Sequence, residues 1–369
     1  MSKNYTTNLV SKMFKNLLII FFFTILLIFF AEKIINFKTL RTTDKTFHHK
    51  LNDNIKNYKN WGVELFNVCT DGNGFKISCD DFNDKKINKQ FDIGIIGDSF
   101  TEAQFYEDSF VGLISKKYKN LKIANLGVAS YSPSIYFFKI KHLLNEGYNF
   151  KHIIVFIDIS DIQDEAIYEE KKGRIISKYK LNAQFHQIEK ISIIRKIKNF
   201  IMYNFPFLYS KIYKIKSANA HETEYFKNTD KGNIIYQKKY PRSSWTYNKD
   251  MEFRKNITVK KMLDKSESYM TSLYNLLKSK NIKLSVGVYP WPGQILWDDK
   301  NNLQAKFWDD FCVNRCDYYF NNFDFFFDYS KEYGKWETIE KFYIINDVHF
   351  NKFGHQVIAD NFIGKFLPN

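Results

Sequence analysis

The stretch FDIGIIGDSFT, residues 91–101, is a mainly apolar run that ends at Gly97 and passes directly to Asp98 and Ser99. A short apolar run that closes in Gly-Asp-Ser is typical of a central parallel strand that delivers a side chain to the carboxyl edge of a sheet. Gly, Asp and Ser are also common in turns and helix caps. The tripeptide therefore makes Ser99 a candidate nucleophile without deciding its role.

Further apolar runs of strand length alternate with segments of helical periodicity. The predicted strands are 91–96, 122–128, 152–159 and 283–290, with 323–329 as one more candidate. The predicted helices lie at about 107–118, 133–146, 258–280 and 351–367. This alternation predicts an α/β fold, a three-layer sandwich in which helices cover both faces of a central parallel sheet.

The N-terminal segment is strongly apolar. Residues 17–31, LLIIFFFTILLIFFA, carry no charge and have only Thr24 as a polar interruption. As a helix, this run would rise about 22 Å, and apolar neighbours extend it toward the roughly 30 Å hydrocarbon core of a bilayer. A cleaved signal peptide is the alternative, but no Ala-x-Ala pattern follows the run. We therefore expect residues 1–36 to form an uncleaved signal anchor, a transmembrane helix that tethers the protein to the membrane.

The rest of the chain divides by pattern. Residues 37–60 are polar without clear periodicity and predict a linker, so that the folded domain covers 61–369. The regular alternation fails at about 165–255, which predicts a helical insertion. Within it, residues 188–220 carry seven Lys or Arg and one Glu. This segment would lie on anionic lipid, cover the site as a lid, or pack its apolar face on the core.

The chain is basic, with 55 Lys and Arg against 40 Asp and Glu and a formal net charge of +15. Lys, Asn, Ile and Phe are used heavily throughout, so the charge reflects a compositional bias. No dense basic block accompanies a nucleic-acid motif, and we expect no nucleic-acid partner. Anionic lipid or acidic polysaccharide fits the charge at least as well.

The four cysteines form two local pairs, Cys69 with Cys79 and Cys312 with Cys316. An even number at short spacing favours two disulfides in an exported domain that faces the periplasm or the cell exterior. The ten-residue spacing of the first pair argues against a zinc site, and reduced thiols are the other alternative. We expect neither a metal nor an organic cofactor.

A histidine and an aspartate occur together near the C-terminus, in NDVHFNKFGHQVIADNF. A serine needs a base to take its proton, and the base needs a group to orient it. Asp347 and His349 precede the last predicted helix, where a loop at the carboxyl edge of the sheet can meet Ser99. We predict that His349 is the general base and that Asp347 holds its tautomer. His355 is interpreted as a helix residue.

In order and spacing, these motifs resemble the SGNH superfamily, the GDSL-like esterases and acyltransferases. The matching blocks, within about residues 91–366, are Gly97-Asp98-Ser99, Asn125-Leu126-Gly127 and Asp347-Val348-His349. The resemblance implies an SGNH or flavodoxin-like α/β sandwich. It also implies a serine esterase or O-acyltransferase that acts, through a Ser99 acyl-enzyme, on acyl groups of a cell-envelope glycan, most simply acetyl groups.

The third block departs from the family pattern. Relatives usually show Gly-x-Asn-Asp, whereas this chain has Asp158, Ile159, Ser160 and Asp161. The resemblance implies an oxyanion hole made by the N–H groups of Ser99 and Gly127, with Ser160 in place of the Asn amide. A hydroxyl is a shorter donor, so a catalytically weak glycan-binding or assembly protein that retains the fold is the alternative function.

Two further details concern the substrate. Many relatives place the Asp three residues before the His, but Asp347 lies two before His349, a variant similar to that of relatives that acetylate envelope polysaccharides. Trp291 follows the fourth predicted strand in YPWPGQI, residues 289–295. It would stack on a sugar ring as a substrate-binding residue, or simply pack within a Pro-rich turn.

Overall fold

A computed structural model of the chain describes residues 3–35, 38–60, 66–83, 87–181, 188–217, 232–248 and 250–366. Its helices are α1 (Lys3–Ile35), α2 (Ser99–Glu102), α3 (Phe110–Lys117), α4 (Pro133–Asn145), α5 (Asp161–Glu165), α6 (Ile193–Asn204), α7 (Pro206–Ser217), α8 (Val259–Lys278), α9 (Pro292–Trp297), α10 (Leu303–Cys312), α11 (Phe323–Tyr333), α12 (Lys335–Phe342) and α13 (Lys352–Lys365). Short 3₁₀ turns cover Ile234–Tyr236 and Ser244–Thr246.

The strands are β1 (Arg41–Asp44), β2 (His48–Leu51), β3 (Tyr58–Asn60), β4 (Phe66–Thr70), β5 (Lys76–Ile77), β6 (Gln90–Ile96), β7 (Ile123–Asn125), β8 (Asn149–Ile157), β9 (Tyr168–Glu170), β10 (Ile175–Ser177), β11 (Tyr179–Leu181), β12 (Ile188–Lys190), β13 (Glu252–Arg254), β14 (Ile257–Thr258), β15 (Lys283–Val288) and β16 (Tyr319–Asn321). The chain divides into two compact units, residues 1–39 with 192–221, and residues 40–191 with 222–369.

The larger unit is built on an eight-stranded sheet in the order β16-β15-β8-β6-β7-β5-β4-β3. The strands from β16 to β7 are mutually parallel, and β5, β4 and β3 add an antiparallel edge. The apolar runs predicted at 91–96, 122–128, 152–159 and 283–290 become β6, β7, β8 and β15. The mixed α/β architecture with a mostly parallel sheet is therefore as expected, with the antiparallel edge as an addition.

The opening stretch forms the centre of this sheet. β6 lies between β8 and β7, and Ile95 and Ile96 at its carboxyl end have no exposed surface. Because parallel strands expose their carboxyl ends at one edge, the loops after β6, β7, β8 and β15 meet there. These loops carry the three SGNH-like blocks of the first half of the chain and Trp291.

Residues 37–60 do not form a linker. From Arg41 onward they contain β1, β2 and β3, and the side chains of Leu40, Phe47 and Leu51 are buried in the core. The Asp44 carboxylate accepts hydrogen bonds from the backbone N–H groups of Thr46 and Phe47, which closes the hairpin between β1 and β2. Such short strands leave little periodicity in the sequence. The folded unit thus starts at Leu40, and residues 61–65 lie outside the described residues.

The candidate strand at 323–329 is also a misassignment, because these residues form the start of α11. Phe323, Phe326 and Ser330 are its buried residues, which is helical spacing, whereas Phe325 is 45% exposed. An aromatic run without strict alternation does not distinguish a strand from a helix.

The segment 165–255 is only partly helical. It contains two antiparallel hairpins, β9–β10 and β11–β12, besides α6 and α7. In the smaller unit, α6 has no buried residue, and Ile193 and Ile194 are 74% and 80% exposed. The apolar face of α6 is therefore not packed on a core in the described structure. The lipid and lid interpretations of residues 188–220 stay predictions.

The prediction of a transmembrane helix at residues 1–36 is wrong. Of the helices in the described ranges, none combines the length with the apolarity needed to cross a bilayer. The charge-free run at 17–31 rises only about 22 Å as a helix, which is short of the roughly 30 Å hydrocarbon core.

The two predicted cysteine pairs lie at disulfide distance. Cys69 and Cys79 have Cα atoms 5.1 Å apart, and Cys312 and Cys316 have Cα atoms 4.8 Å apart. The first pair ties β4 to the segment that follows β5. Both pairs close short loops of the larger unit.

We expect no reactive thiol in the denatured, unreduced protein. Reduction of the first pair should lower the free energy of unfolding by about 3 kcal/mol, because a cross-link restricts a loop of this size in the unfolded chain. Thiol titration in denaturant and urea unfolding of a Cys69→Ser/Cys79→Ser variant measure the two effects. Four reactive thiols without reductant would contradict the disulfide assignment.

Candidate active site

The structure brings Ser99, His349 and Asp347 together at the carboxyl edge of the sheet. Nε2 of His349 lies 2.8 Å from Oγ of Ser99. Nδ1 of the same ring lies 2.5 Å from Oδ1 of Asp347, which also accepts the backbone N–H of His349 at 2.9 Å. The carboxylate therefore fixes the proton on Nδ1 and leaves Nε2 as an acceptor for the serine proton.

Backbone packing places Ser99 at this point. Asp98 caps α2, which starts at Ser99 directly after β6, and its Oδ1 accepts the N–H of Phe100 at 3.0 Å. A Cβ on Gly97 would lie 2.7 Å from the carbonyl oxygen of Phe156 on β8. Only glycine permits this close approach between the first block and the neighbouring strand.

The electrostatics favour a basic imidazole. Burial by itself would lower the pKa of His349, but Asp347 beside Nδ1, and then Asp98 and Asp158, raise this pKa above its ordinary value of 6.5. Burial would likewise raise the pKa of Asp347, yet its attraction to His349 and the hydrogen bonds it accepts keep the pKa of Asp347 below its usual range. His349 is thus the more basic group, and Asp347 stays ionised and orients it.

The raised pKa of His349 predicts the acid limb of the pH profile. Only the neutral imidazole accepts the serine proton, so kcat/KM for an ester should rise with pH with a midpoint above 6.5. The same midpoint should govern labelling of Ser99 by a phosphonate probe. A midpoint at or below the ordinary histidine value, in protein shown to be folded by circular dichroism, would contradict this electrostatic account.

Two of the three predicted oxyanion donors, Gly127 and Ser160, have their N–H groups engaged by side chains of their own loops. The N–H of Gly127 donates to Oδ1 of Asn125 at 3.0 Å, and the N–H of Ser160 donates to Oδ1 of Asp158 at 2.5 Å. The Ser160 hydroxyl also bonds Asp158, whose pKa it lowers. These hydrogen bonds occupy the N–H groups of Gly127 and Ser160. The assignment of Ser99, Gly127 and Ser160 to an oxyanion hole stays a prediction.

Asn125 is a positioning residue of the second block. It is 2% exposed, and its amide donates to the carbonyl oxygen of Thr101 in α2 at 2.9 Å. A Cβ on Gly127 would lie 2.6 Å from Cβ of Thr101. The amide and the glycine together hold the second block against the helix of the nucleophile.

Three buried carboxyl groups lie behind Ser99. One oxygen each of Asp98, Asp158 and Asp161 lies within 4.8 Å of the others, and we call these residues the carboxyl cluster. Protein groups already contact them: Ser99 Oγ lies 3.1 Å from Oδ2 of Asp98, Trp291 Nε1 donates to Asp158 at 2.6 Å, and Tyr136 Oη donates to Asp161 at 2.6 Å. Each residue of the carboxyl cluster is thus held by at least one protein group.

The similarity of this chain to known proteins lies in its structure. Neither the protein-family models nor the curated proteins gave a match. Among solved structures, an acetylxylan esterase from Geobacillus stearothermophilus is similar at 10% identity and a TM-score of 0.39, over 76% of this chain and 95% of that chain. A lipolytic G-D-S-L family protein from Veillonella parvula matches at 9% identity and a TM-score of 0.38, over 74% of this chain and 97% of that chain. A psychrotrophic esterase from Pseudoalteromonas sp. matches at 12% identity and a TM-score of 0.34, over 75% of this chain and 96% of that chain.

These similar structures are described as two esterases and one lipolytic protein of the G-D-S-L family. At such low TM-scores, the likeness supports no inference about activity, which we base on the site itself. Gly-Asp-Ser follows the central strand, and Asp347-Val348-His349 precedes the last helix and reaches Ser99. The site therefore combines a serine, a histidine and an aspartate in the geometry of a catalytic triad.

Trp291 is buried beside the triad and forms part of the wall of the site. It is 3% exposed, and its ring stacks between Phe100 and Tyr240 at centroid distances of 6.2 and 6.3 Å. Its indole N–H is used by Asp158. In this arrangement, neither face of the ring is open to a sugar, and the side chain supports the third block instead.

The segment 232–248 braces the third block, a role that sequence reasoning missed. Arg242 contacts both carboxylate oxygens of Asp164 at 3.3 Å, and Trp245 donates to the carbonyl oxygen of Ile159 at 2.9 Å. Asp164 therefore fixes the geometry of the third-block loop through its ion pair with Arg242. No local pattern links this segment to α5, so these contacts have no sequence signal.

The hairpin β1–β2 braces the first two blocks in the same way. Arg41 forms an ion pair with the buried Glu102, which also accepts the N–H of Ala129 at 2.8 Å. Nε2 of His49 lies 2.8 Å from the carbonyl oxygen of Ala129. His355 lies in α13 and is 1% exposed, which confirms that it is a helix residue.

Proposed function

We propose that this protein is a serine esterase or O-acyltransferase that acts on acyl groups of a cell-envelope glycan, most simply acetyl groups. The observation that carries the proposal is the continuous contact from Ser99 Oγ to His349 Nε2 and from His349 Nδ1 to Asp347. A binding protein has no need of this alignment, whereas nucleophilic catalysis depends on it.

The chemistry follows from these contacts. His349 takes the proton of Ser99 as Oγ forms a bond to the acyl carbon, and the resulting oxyanion collapses with loss of the alkoxy group. The imidazolium returns its proton to that leaving oxygen, which gives a neutral alcohol and the Ser99 ester. A water molecule or a glycan hydroxyl then attacks the ester, with His349 again acting as the base. Water releases a carboxylic acid, and a hydroxyl yields a new ester.

The envelope setting of the proposal rests on the cysteines and on the resemblance. Two cysteine pairs at disulfide distance suit an oxidising compartment, so we place the catalytic domain in the periplasm or outside the cell. The spacing of Asp347 and His349 is similar to that of relatives that acetylate envelope polysaccharides. An acylated glycan is therefore the substrate class that we test first.

The transferase outcome is favoured by one further observation. A cavity of about 590 Å³ lies beside α5 and contains none of the triad residues. It is lined by polar and aromatic side chains that suit a sugar, among them Lys238, Lys239, Asn248, Tyr247 and Phe253. Such a cavity would give an acceptor glycan its own binding surface apart from the triad. An esterase does not need a second surface of this kind.

The deciding experiment measures hydrolysis of acetylated oligosaccharide and transfer to an unacetylated acceptor in the same reaction. An esterase releases acetate at a rate that the acceptor does not change. A transferase diverts acetyl to the acceptor, and Tyr247→Ala should reduce that diversion while acetate release continues. Glycan binding without either product, together with failure of Ser99 to react with a phosphonate, would replace the enzyme proposal with the binding-protein alternative.

A further inference from the structure

Helix α6 of the smaller unit has an apolar face that is exposed. Ile193, Ile197 and Phe200 follow one another at spacings of four and three residues, so they share one side of the helix. Their side chains are 74%, 55% and 60% exposed, and Ile194 beside them is 80% exposed. An exposed group of large apolar side chains marks an interaction surface in a soluble protein.

Basic residues border this apolar face on both sides. Lys196 and Lys198 directly precede and follow Ile197, and each is turned about 100° from it around the helix axis, in opposite directions. Arg195 adds a third positive charge to the same helix. The whole segment 192–211 contains no Asp or Glu. The apolar face is therefore framed by charges of one sign, which no acidic residue of this segment neutralises.

The charge determines which occupant fits the face. A second copy of this chain would bring the same positive charges together across an interface, where like charges repel. An anionic lipid surface offers the opposite charge and an apolar layer directly beneath it. Lys196 and Lys198 can extend their methylene stems along the apolar layer and keep their ammonium groups at the level of the lipid phosphates.

The length of α6 determines how it would lie. Its 12 residues make a helix about 18 Å long, far short of the roughly 30 Å hydrocarbon core. A helix with one apolar and one basic side lies in the plane of the membrane surface and does not cross the bilayer.

We propose that α6 binds the surface of a membrane that contains anionic lipid, with Ile193, Ile197 and Phe200 inserted at the boundary between headgroups and acyl chains. Electrostatic attraction and apolar insertion act together in such binding, so loss of either weakens it. The surface is separate from the proposed function, because no residue of the triad lies in α6.

The test must report on α6 itself. Helix α1 also exposes apolar side chains, such as Phe14 and Leu17, so vesicle binding by the whole chain does not locate the surface. Because the four cysteines are paired, a thiol introduced by Ile197→Cys or Asn199→Cys takes a bimane label alone. Residue 199 lies about 200° around the helix from residue 197, on the opposite side.

The probe is a vesicle made of equimolar phosphatidylcholine and phosphatidylglycerol. In the full chain, bimane at position 197 should shift its emission to shorter wavelength when vesicles are added, and brominated lipid should quench it. Bimane at position 199 should change much less. Vesicles of pure phosphatidylcholine should bind more weakly, and added salt should weaken binding to the anionic vesicles.

A pair of charge variants tests the role of the bordering lysines. Lys196→Gln/Lys198→Gln should weaken the vesicle affinity read from the label at position 197 by about thirtyfold, because each basic residue near an anionic surface contributes about fivefold. The matched control, Lys116→Gln/Lys117→Gln, removes the same charge from exposed positions at the end of α3 and should leave the affinity unchanged. Circular dichroism checks that all variants are folded.

The possible outcomes are distinct. If the label at position 197 is already shifted without lipid, and more so at higher protein concentration, a second copy covers this face. A shift without lipid that does not depend on concentration would show that the protein itself covers it. Either result overturns the inference, as does equal quenching at positions 197 and 199 or equal affinity for neutral and anionic vesicles. No ester is turned over in these measurements, so failure of the proposed function leaves the inference intact, and failure of the inference leaves the function intact.

Discussion

Ser99→Ala is expected to abolish phosphonate labelling and to lower kcat for ester hydrolysis by about 10⁶-fold, to the residual level that substrate binding alone provides. His349→Ala should cost nearly as much, because Oγ of Ser99 then has no base at 2.8 Å to take its proton. The two losses should not add in the double variant, since the residues act as one unit.

Labelling and acetate release across pH measure these effects, with circular dichroism to check folding. Ser268→Ala, which removes an exposed hydroxyl on α8, is the matched control and should leave both readouts unchanged. Full activity in folded Ser99→Ala would show that the esters are cleaved elsewhere and would remove the basis of the proposed function.

Asp347→Asn is expected to lower kcat by about 10⁴-fold, less than loss of either of the other two residues. A carboxamide can turn its NH₂ group toward Nδ1 of His349, which forces the ring proton onto Nε2. That nitrogen then faces Ser99 as a donor and cannot accept the serine proton. The rate falls because His349 takes the wrong tautomer and the negative charge of Asp347 is removed, and not because packing is lost.

The pH profile distinguishes this cause from simple unfolding. Without the carboxylate, the pKa of His349 loses its main source of elevation, so the acid limb of the residual activity should move to lower pH. Asp360→Asn, on the exposed face of α13, is the matched control. An unmoved limb, or a loss smaller than about tenfold, would show that Asp347 does not orient the base.

The sequence predicts the parts of the fold that are locally encoded. β6, β8 and β15 are continuous apolar runs buried on both faces, and such runs are readable without knowledge of their partners. The hairpin β1–β2 and strand β3 are short and polar. The hairpin is stabilised by tertiary contacts, such as the packing of Leu51 into the hydrophobic core. The aromatic run at α11 has a helical spacing that only its burial reveals.

The same division applies to the site. Ser99, His349 and Asp347 are predictable because the chemistry of a serine nucleophile demands a base and an orienting group. The carboxyl cluster and the braces are not, because each depends on a contact between distant positions, such as Trp291 with Asp158 or Arg242 with Asp164. The departure of the third block at Asp158 was visible as a residue, but its proximity to Asp98 was not.

The hairpin β1–β2, residues 41–51, determines which fragments of the protein we expect to keep the proposed activity. Arg41 contacts Glu102, just after the first block, and His49 contacts the carbonyl oxygen of Ala129, just after the second, although both precede these blocks by some fifty residues or more. A fragment that begins at residue 61 would carry the whole triad and yet lack these contacts. We expect it to be inactive, and a fragment that begins before Leu40 to be active. Protease cleavage between β2 and β3, followed by loss of the hairpin, would likewise abolish the proposed activity without a change to any residue of the triad.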